Sequence, residues 1–275
     1  MTVNLDKKRP IAGRGSNGRR RRGIYLLPNL LTTAGLFAGF YAIVAAMNGH
    51  FDAAAAAIFI AMLMDGVDGR IARLTNTQSA FGAEYDSLAD MVSFGLVPAL
   101  VIYEWTLSGL GKLGWLAAFL YAACAALRLA RFNTQVGIAD KRYFQGLASP
   151  SAAACLAGLV WFATDAGIAG DNLMIPAFIL TVSTAIFMVS NIRYYSFRGF
   201  GDGDKVPFVT ILAVVLVFVL ISVDPPKVLF IAFLIYALSG PVVTLVRLHQ
   251  HRAQYRVQRR RTPTDSAKLP DDNEK

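Results

Sequence analysis

The stretch of sequence that decides the fold runs from Asp65 to Asp90 and reads DGVDGRIARLTNTQSAFGAEYDSLAD. Four aspartates, Asp65, Asp68, Asp86 and Asp90, lie there at the edges of two strongly apolar runs. A charge in the middle of a membrane helix costs about 2.5–3.5 kcal/mol on insertion scales, so carboxylates at such positions are usually functional. The spacing of i, i+3 in the first pair and i, i+4 in the second places each pair on one face of a helix.

The composition surrounding this stretch is that of a membrane protein. Apolar residues make up 55% of the 275 residues and charged residues 16%, against about 25% charged residues in a typical soluble domain. This excess of apolar residues excludes a disordered chain. Two Cys and three His argue against a disulfide scaffold and against a His-rich metal site.

Apolar runs recur along the chain at the length that a membrane helix needs, about 17–25 residues. The fold class predicted from them is an all-α, polytopic transmembrane helical bundle of about eight spans. A basic N-terminal tail (1–23) precedes the transmembrane catalytic domain (24–248), and a basic, polar C-terminal tail (249–275) follows it. The eight predicted spans are 30–48, 52–74, 86–107, 112–132, 149–165, 172–190, 206–222 and 228–247.

The distribution of basic residues predicts the orientation. With eight spans, all of the 27 Lys and Arg residues except Lys112 and Lys227 fall on one side of the membrane. Because basic residues accumulate on the cytoplasmic side, both termini and the acidic motif are expected there. For the basic tails we expect contact with anionic membrane lipid rather than with nucleic acid.

The four aspartates also predict a metal site. The short loop between the second and third spans, about 10 residues, returns the chain antiparallel, so that the two Asp pairs can face each other. Converging carboxylates repel one another unless some are protonated or a cation lies between them. Oxygen ligands without His or Cys select hard ions such as Mg²⁺, Ca²⁺ or Mn²⁺, and four carboxylates suffice for two ions. Such a site suits displacement at phosphorus, although a cation transporter would also use intramembrane carboxylates.

The spacing Asp65-x2-Asp68-Gly69-x2-Ala72-Arg73-x8-Gly82-x3-Asp86-x3-Asp90 resembles the signature of the CDP-alcohol phosphotransferases at all eight fixed positions. The resemblance implies the helical fold of that family and an integral membrane enzyme, usually a homodimer. It also implies a reaction that uses two divalent ions, Mg²⁺ or Mn²⁺, and releases CMP.

The resemblance further implies roles for individual residues. Asp65, Asp68 and Asp86 would be metal ligands, and Asp90 would be both a ligand and the general base. Six residues would bind the CDP-linked lipid, and these are Pro28, Asn29, Thr32, Gly69, Arg73 and Ser79.

Three further segments, 128–134, 144–150 and 188–195, are similar to the phosphatidylserine synthase branch of the family, of integral-membrane type. That similarity implies CDP-diacylglycerol and L-serine as substrates in a bacterial inner (plasma) membrane. Arginine is a fitting bidentate partner for the serine carboxylate. The predicted serine-binding residues are therefore Arg128, Arg131 and Asn133, although both arginines would also suit lipid-headgroup anchoring.

Other functions remain open at this point. Within the family, the acceptor could be glycerol 3-phosphate, an inositol phosphate or choline. Intramembrane prenyltransferases also bind Mg²⁺ and diphosphate through Asp-rich helices, but their Asp clusters normally occupy two distant segments. A cation transporter would carry ions across vesicles without releasing CMP.

Overall fold

The computed structural model describes residues 17–75, 77, 79–135, 143–195 and 208–261. Residues 1–16 and 262–275 of the two predicted tails lie outside these described residues. Helical structure reaches into the remaining parts of both tails, because the first helix begins at Asn17 and the last ends at Arg261.

Helices make up almost all of the regular structure in the described ranges. The third helical segment is continuous from Ala80 to Trp105, with a π-helical turn, Met91–Leu96, between α3 and α4. The α-helices are α1 (Asn17–Met47), α2 (Phe51–Leu74), α3 (Ala80–Asp90), α4 (Val97–Trp105), α5 (Lys112–Gln135), α6 (Ser149–Asp165), α7 (Met174–Val189), α8 (Phe208–Val223) and α9 (Pro225–Arg261).

The described part of each of the eight predicted apolar runs falls largely on one of these helical segments, which confirms the all-α membrane fold class. Positions 206 and 207 of the seventh run lie outside the described residues. Five segments of the described chain are long and apolar enough to cross a membrane. The helices α6 and α8 have only 17 and 16 residues, and α2 carries the charged residues of the motif. The exact number of eight spans therefore stays a prediction. The five segments are Leu27–Met47, Ala80–Trp105, Lys112–Thr134, Gly170–Val189 and Pro225–Thr244.

The connection between α2 and α3 is shorter than the sequence predicted. Helix α2 ends at Leu74 and α3 begins at Ala80, which leaves five residues in place of about ten. Ser79 starts α3 early because its Oγ accepts a hydrogen bond from the Gly82 amide at 3.0 Å and so caps the helix. The two helices that carry the aspartates are therefore joined by a connection of only five residues.

Small residues allow the helices to approach closely. Helix α6 lies inside the bundle, contacts α2, α4, α7 and α9, and buries a nearly continuous run from Ala152 to Val160. A Cβ atom added at Gly158 would lie 3.0 Å from the Phe230 Cα, so this glycine brings α9 against α6. Such contacts between small residues are typical of membrane helix packing, where lipid supplies no hydrophobic driving force.

The π-helical turn directly after Asp90 is held by α5. The Tyr121 side chain is fully buried and its hydroxyl donates a hydrogen bond of 3.1 Å to the Phe94 carbonyl oxygen. Gly95 lies against the same helix, since a Cβ there would be 3.2 Å from the Ala125 Cβ. Single π-helical turns are rare and occur frequently at functional sites.

One short antiparallel ribbon is an exception to the all-helical expectation. Tyr143–Gln145 (β1) pairs with Arg193–Tyr195 (β2), so that the segments before α6 and after α7 are joined. The pairing continues because the Gly146 amide donates to the Ile192 carbonyl at 2.8 Å. The sequence predicted no strands here because three residues are too few to show an alternating pattern.

We expect Gly146→Ala to destabilise the protein. Gly146 has φ +79°, and an added Cβ would overlap the Met188 carbonyl oxygen. Backbone strain and this overlap together should cost at least about 2 kcal/mol. Gly167→Ala is the matched control, because Gly167 has φ +66° with nothing within 4 Å of an added Cβ. Thermal unfolding in detergent should show the larger loss for Gly146→Ala, and equal losses would contradict this account of the turn.

Candidate active site

The structure brings the aspartates of the motif together at the end of α2 and the start of the third helical segment. The ligand oxygens of Asp65, Asp68 and Asp86 all lie within 4.8 Å of one another. Asp90 is not part of that compact group, but it lines the same cavity and its side chain is in hydrogen-bonding contact with Asp65. Four acids at such separations cannot all remain ionised without a cation close to them.

Asp68 is the most deeply placed of the four, with 3% of its surface exposed. Its Oδ2 accepts a hydrogen bond of 2.6 Å from the Thr32 hydroxyl. Its Oδ1 is buried and has no hydrogen-bond partner among the described residues. A buried acceptor left without a donor is costly, and a bound cation would relieve that cost. The residues present therefore fit a divalent metal ion.

Helix α1 fixes the other side of the cluster. The Thr33 hydroxyl and the Tyr85 hydroxyl are 2.9 Å apart, which joins α1 to α3 one residue before Asp86. Gly82 allows the same approach nearer the start of α3, because a Cβ there would be 3.2 Å from Asn29 Oδ1. The middle of α1, around Asn29 and Thr33, thus packs against the first turns of α3.

The predicted residues for the CDP-linked lipid have different surroundings. Beside Gly69 there is open space, since nothing lies within 4 Å of an added Cβ. Arg73 is exposed, and its Nε donates to the Gly69 carbonyl oxygen at 2.9 Å, so the side chain lies along its own helix. The open helix face beside the acidic cluster is where a ligand could approach the backbone.

The remaining residues predicted to bind this lipid have structural contacts of their own. Thr32 hydrogen-bonds to Asp68, and Ser79 caps α3. Pro28 is buried one turn before Thr32, and Asn29 is half-buried next to Gly82. Their direct contact with a nucleotide stays a prediction.

The three predicted serine-binding residues lie at the end of α5 and are each hydrogen-bonded. Arg128 Nη1 donates to Ser149 Oγ at 2.8 Å, and Asn133 Nδ2 donates to Ser87 Oγ at 2.9 Å. Arg131 Nη2 donates to two amide oxygens, Gln145 Oε1 and, at 2.8 Å, Asn191 Oδ1.

Contacts between α5 and the third helical segment set the position of the arginines relative to the acids. The two segments are antiparallel, with Tyr121 contacting Phe94 at one level and Asn133 contacting Ser87 at another. Asp90 lies between Ser87 and Phe94, and Arg128 lies between Tyr121 and Asn133. Asp90 and Arg128 therefore lie at about the same level of the bundle, on adjoining helices.

Sequence reasoning assigned no role to several residues that contact this site. Ser87 lies inside the acidic motif but is not one of its fixed positions. Gln145, Ser149 and Asn191 fall in the segments 144–150 and 188–195. The similarity of these segments to one branch of the family could have pointed to them. Their partners on α5 could not be identified without the fold.

The comparisons with known proteins agree with this geometry. The family model described as CDP-alcohol phosphatidyltransferase matches residues 25–197. A CDP-diacylglycerol–serine O-phosphatidyltransferase of Helicobacter pylori strain J99 is 33% identical over 225 residues, which cover 82% of this chain and 94% of the relative.

Two further relatives give related matches. A CDP-diacylglycerol–serine O-phosphatidyltransferase of Mycobacterium bovis is 43% identical over 149 residues, or 52% of this chain and 51% of the relative. An archaetidylserine synthase of Methanothermobacter thermautotrophicus is 29% identical over 187 residues, or 67% of this chain and 76% of the relative. With the acidic cluster intact and the family model matching more than half of the chain, this multi-pass membrane protein belongs to the CDP-alcohol phosphatidyltransferase family.

Proposed function

We propose that this enzyme transfers the phosphatidyl group of CDP-diacylglycerol to the hydroxyl group of L-serine and releases CMP. The observation that carries the proposal is the three-carboxylate cluster within 4.8 Å, at the level where α5 presents Arg128. The names of the bacterial relatives supply the acceptor, since two of the matches are called CDP-diacylglycerol–serine O-phosphatidyltransferases.

In this proposal, Asp65, Asp68, Asp86 and Asp90 hold two divalent ions, Mg²⁺ or Mn²⁺. The bound ions would neutralise the charge of the diphosphate and of the departing CMP. Thr32 supports the ligand set from α1, because its hydroxyl satisfies one oxygen of Asp68 and leaves the other for the metal. The role of Thr32 is then to orient a ligand, in addition to the lipid contact predicted from the sequence.

Asp90 has the second function of general base. Its carboxylate accepts the proton of the serine hydroxyl as the serine oxygen forms a bond to the phosphorus that bears diacylglycerol. The bond between that phosphorus and the bridging oxygen breaks, and CMP leaves with the electron pair. A base must lie within hydrogen-bond reach of the proton, so the serine hydroxyl docks beside Asp90.

The donor lipid would lie along the open face of α2. Gly69 would give the diphosphate access to the helix backbone. Arg73, whose Nε bonds to the Gly69 carbonyl oxygen, would leave that bond to meet the phosphate charge. Pro28, Asn29 and Ser79 would form the cytidine end of this site, where the middle of α1 meets the start of α3.

The serine molecule would be oriented by its carboxylate. Arg128 and Arg131 offer planar, permanently charged partners for a carboxylate, and Asn133 adds an amide on the same end of α5. The tetrahedral reaction centre would then lie between the acidic cluster on α2 and α3 and the basic residues on α5.

We further propose that the enzyme is a homodimer in a bacterial inner membrane. Both termini and the active site would face the cytoplasm, where water-soluble serine is available. The basic tails would contact anionic lipid, at about 1 kcal/mol per basic residue near the surface.

Purified protein should release CMP from CDP-diacylglycerol when L-serine is added. Glycerol 3-phosphate, an inositol phosphate and choline, offered in parallel, should give no release above background. A chelator should stop the reaction and Mg²⁺ or Mn²⁺ should restore it. Release with a different acceptor alone would contradict the proposed specificity, and ion flux in vesicles without CMP release would indicate a transporter.

Asp90→Asn should lower kcat by roughly 10²–10⁴-fold, because a general base contributes about that much to catalysis. The assay is CMP release by detergent-purified protein at saturating metal. Asp52→Asn is the matched control, since Asp52 is exposed in the first turn of α2, at the opposite end from the acidic cluster. Turnover by a folded Asp90→Asn protein at the rate of the control would refute the role of Asp90.

A further inference from the structure

Arg131 is held by neutral groups. Its Nη2 donates to the side-chain oxygens of Gln145 and Asn191, which lie on different segments of the chain. Within the described ranges, no carboxylate lies at ion-pair distance from Arg131. Among the described residues, the guanidinium is therefore held by neutral acceptors and has no ion-pair partner.

The two amides are themselves held by the ribbon. Gln145 ends β1 and is paired with Arg193 of β2, and Asn191 lies two residues before β2 begins. The Gly146 amide bonds to the Ile192 carbonyl, which locks the backbone beside both amides. The ribbon joins the segment before α6 to the segment after α7. The backbone that carries the two amides is therefore held in place where they contact α5.

The same end of α5 reaches the acidic cluster. Asn133 donates to Ser87, the residue directly after the metal-ligand candidate Asp86. Arg128, one turn before Arg131 on the same helix face, lies at the level of Asp90. Arg131 thus lies one turn beyond the proposed reaction centre, toward the exposed end of the bundle.

We propose that Gln145 and Asn191 are positioning residues that determine acceptor specificity by aiming Arg131 at the carboxylate of the amino-acid acceptor. Their neutrality is essential to this role, because an Asp or Glu at either position would neutralise the guanidinium before the substrate arrives. The inference rests on the proposed function, in which the acceptor is serine. It adds a reason why an acceptor with a carboxylate is selected.

The test compares changes that keep the shape of each amide with one that removes it. Asn191→Asp and Gln145→Glu preserve size but pair Arg131 with a carboxylate, and each should raise the KM for serine by roughly 10- to 100-fold. Asn191→Ala removes the support without adding charge, and it should raise that KM less. In all three variants, the KM for CDP-diacylglycerol should stay within about twofold of the wild-type value.

Asn172→Asp is the matched control. Asn172 is exposed in the turn before α7, at the opposite end of that helix from Asn191. The change adds the same negative charge as Asn191→Asp, but far from Arg131. Its KM for serine should equal that of the wild type. This control separates the local effect on Arg131 from any general effect of added negative charge.

The outcomes distinguish this inference from the proposed function. If the wild-type protein releases no CMP with serine, the proposed function fails. If the wild-type protein is active but Asn191→Asp and Gln145→Glu leave the KM for serine unchanged, only this inference fails. A rise in the KM for CDP-diacylglycerol in place of serine would likewise overturn it, because Arg131 would then bind the donor lipid. Equal effects of Asn191→Ala and Asn191→Asp would show that charge is irrelevant.

Discussion

The repulsion among four carboxylates at one end of a membrane bundle is the constraint on which the rest of the structure depends. Three of them present oxygens within 4.8 Å of one another, and the buried Oδ1 of Asp68 has no donor among the described residues. In a medium of low dielectric constant, such an arrangement is unstable as four bare anions. The connection between α2 and α3 nevertheless brings the acids together, since it has only five residues and the last of them, Ser79, caps α3.

The surrounding helices separate opposite charges around this point. The acidic groups belong to α2 and α3, whereas α5 brings Arg128 and Arg131 to the same end of the bundle. Among the hydrogen bonds described, Ser149 accepts from Arg128, and both Gln145 and Asn191 accept from Arg131. In the proposed reaction, the acidic groups would serve a metal-bound diphosphate and the arginines would serve the carboxylate of the acceptor.

Much of the architecture could be predicted from the sequence, because long apolar runs and intramembrane acids have strong physical signatures. The eight runs fall on helices, and the aspartates at positions 65, 68 and 86 meet as the motif spacing indicated. The early start of α3 was missed because the predicted span began at Asp86, whereas the helix begins at Ala80, directly after the capping residue Ser79. Span number could not be fixed, since the 17-residue α6 is short, Ala-rich and enclosed by other helices.

Contacts between distant segments could not be predicted. The hydrogen bonds of Arg131 join residues 14 and 60 positions away along the chain, through a ribbon of three residues per strand. No periodicity marks such a ribbon, and the amide partners resemble ordinary loop residues in the sequence. Thr32 illustrates the same limit, because its link to Asp68 spans 36 positions and depends on how α1 crosses α2.

Direct titration of the purified protein with Mn²⁺, followed by electron paramagnetic resonance, tests the central claim that divalent cations neutralise the acidic cluster. The account predicts saturable binding of about two ions per chain, with Asp68→Asn weakening it at least about tenfold and Asp52→Asn leaving it unchanged. An absence of bound Mn²⁺ in the wild-type protein, or equal affinity in Asp68→Asn, would contradict the account.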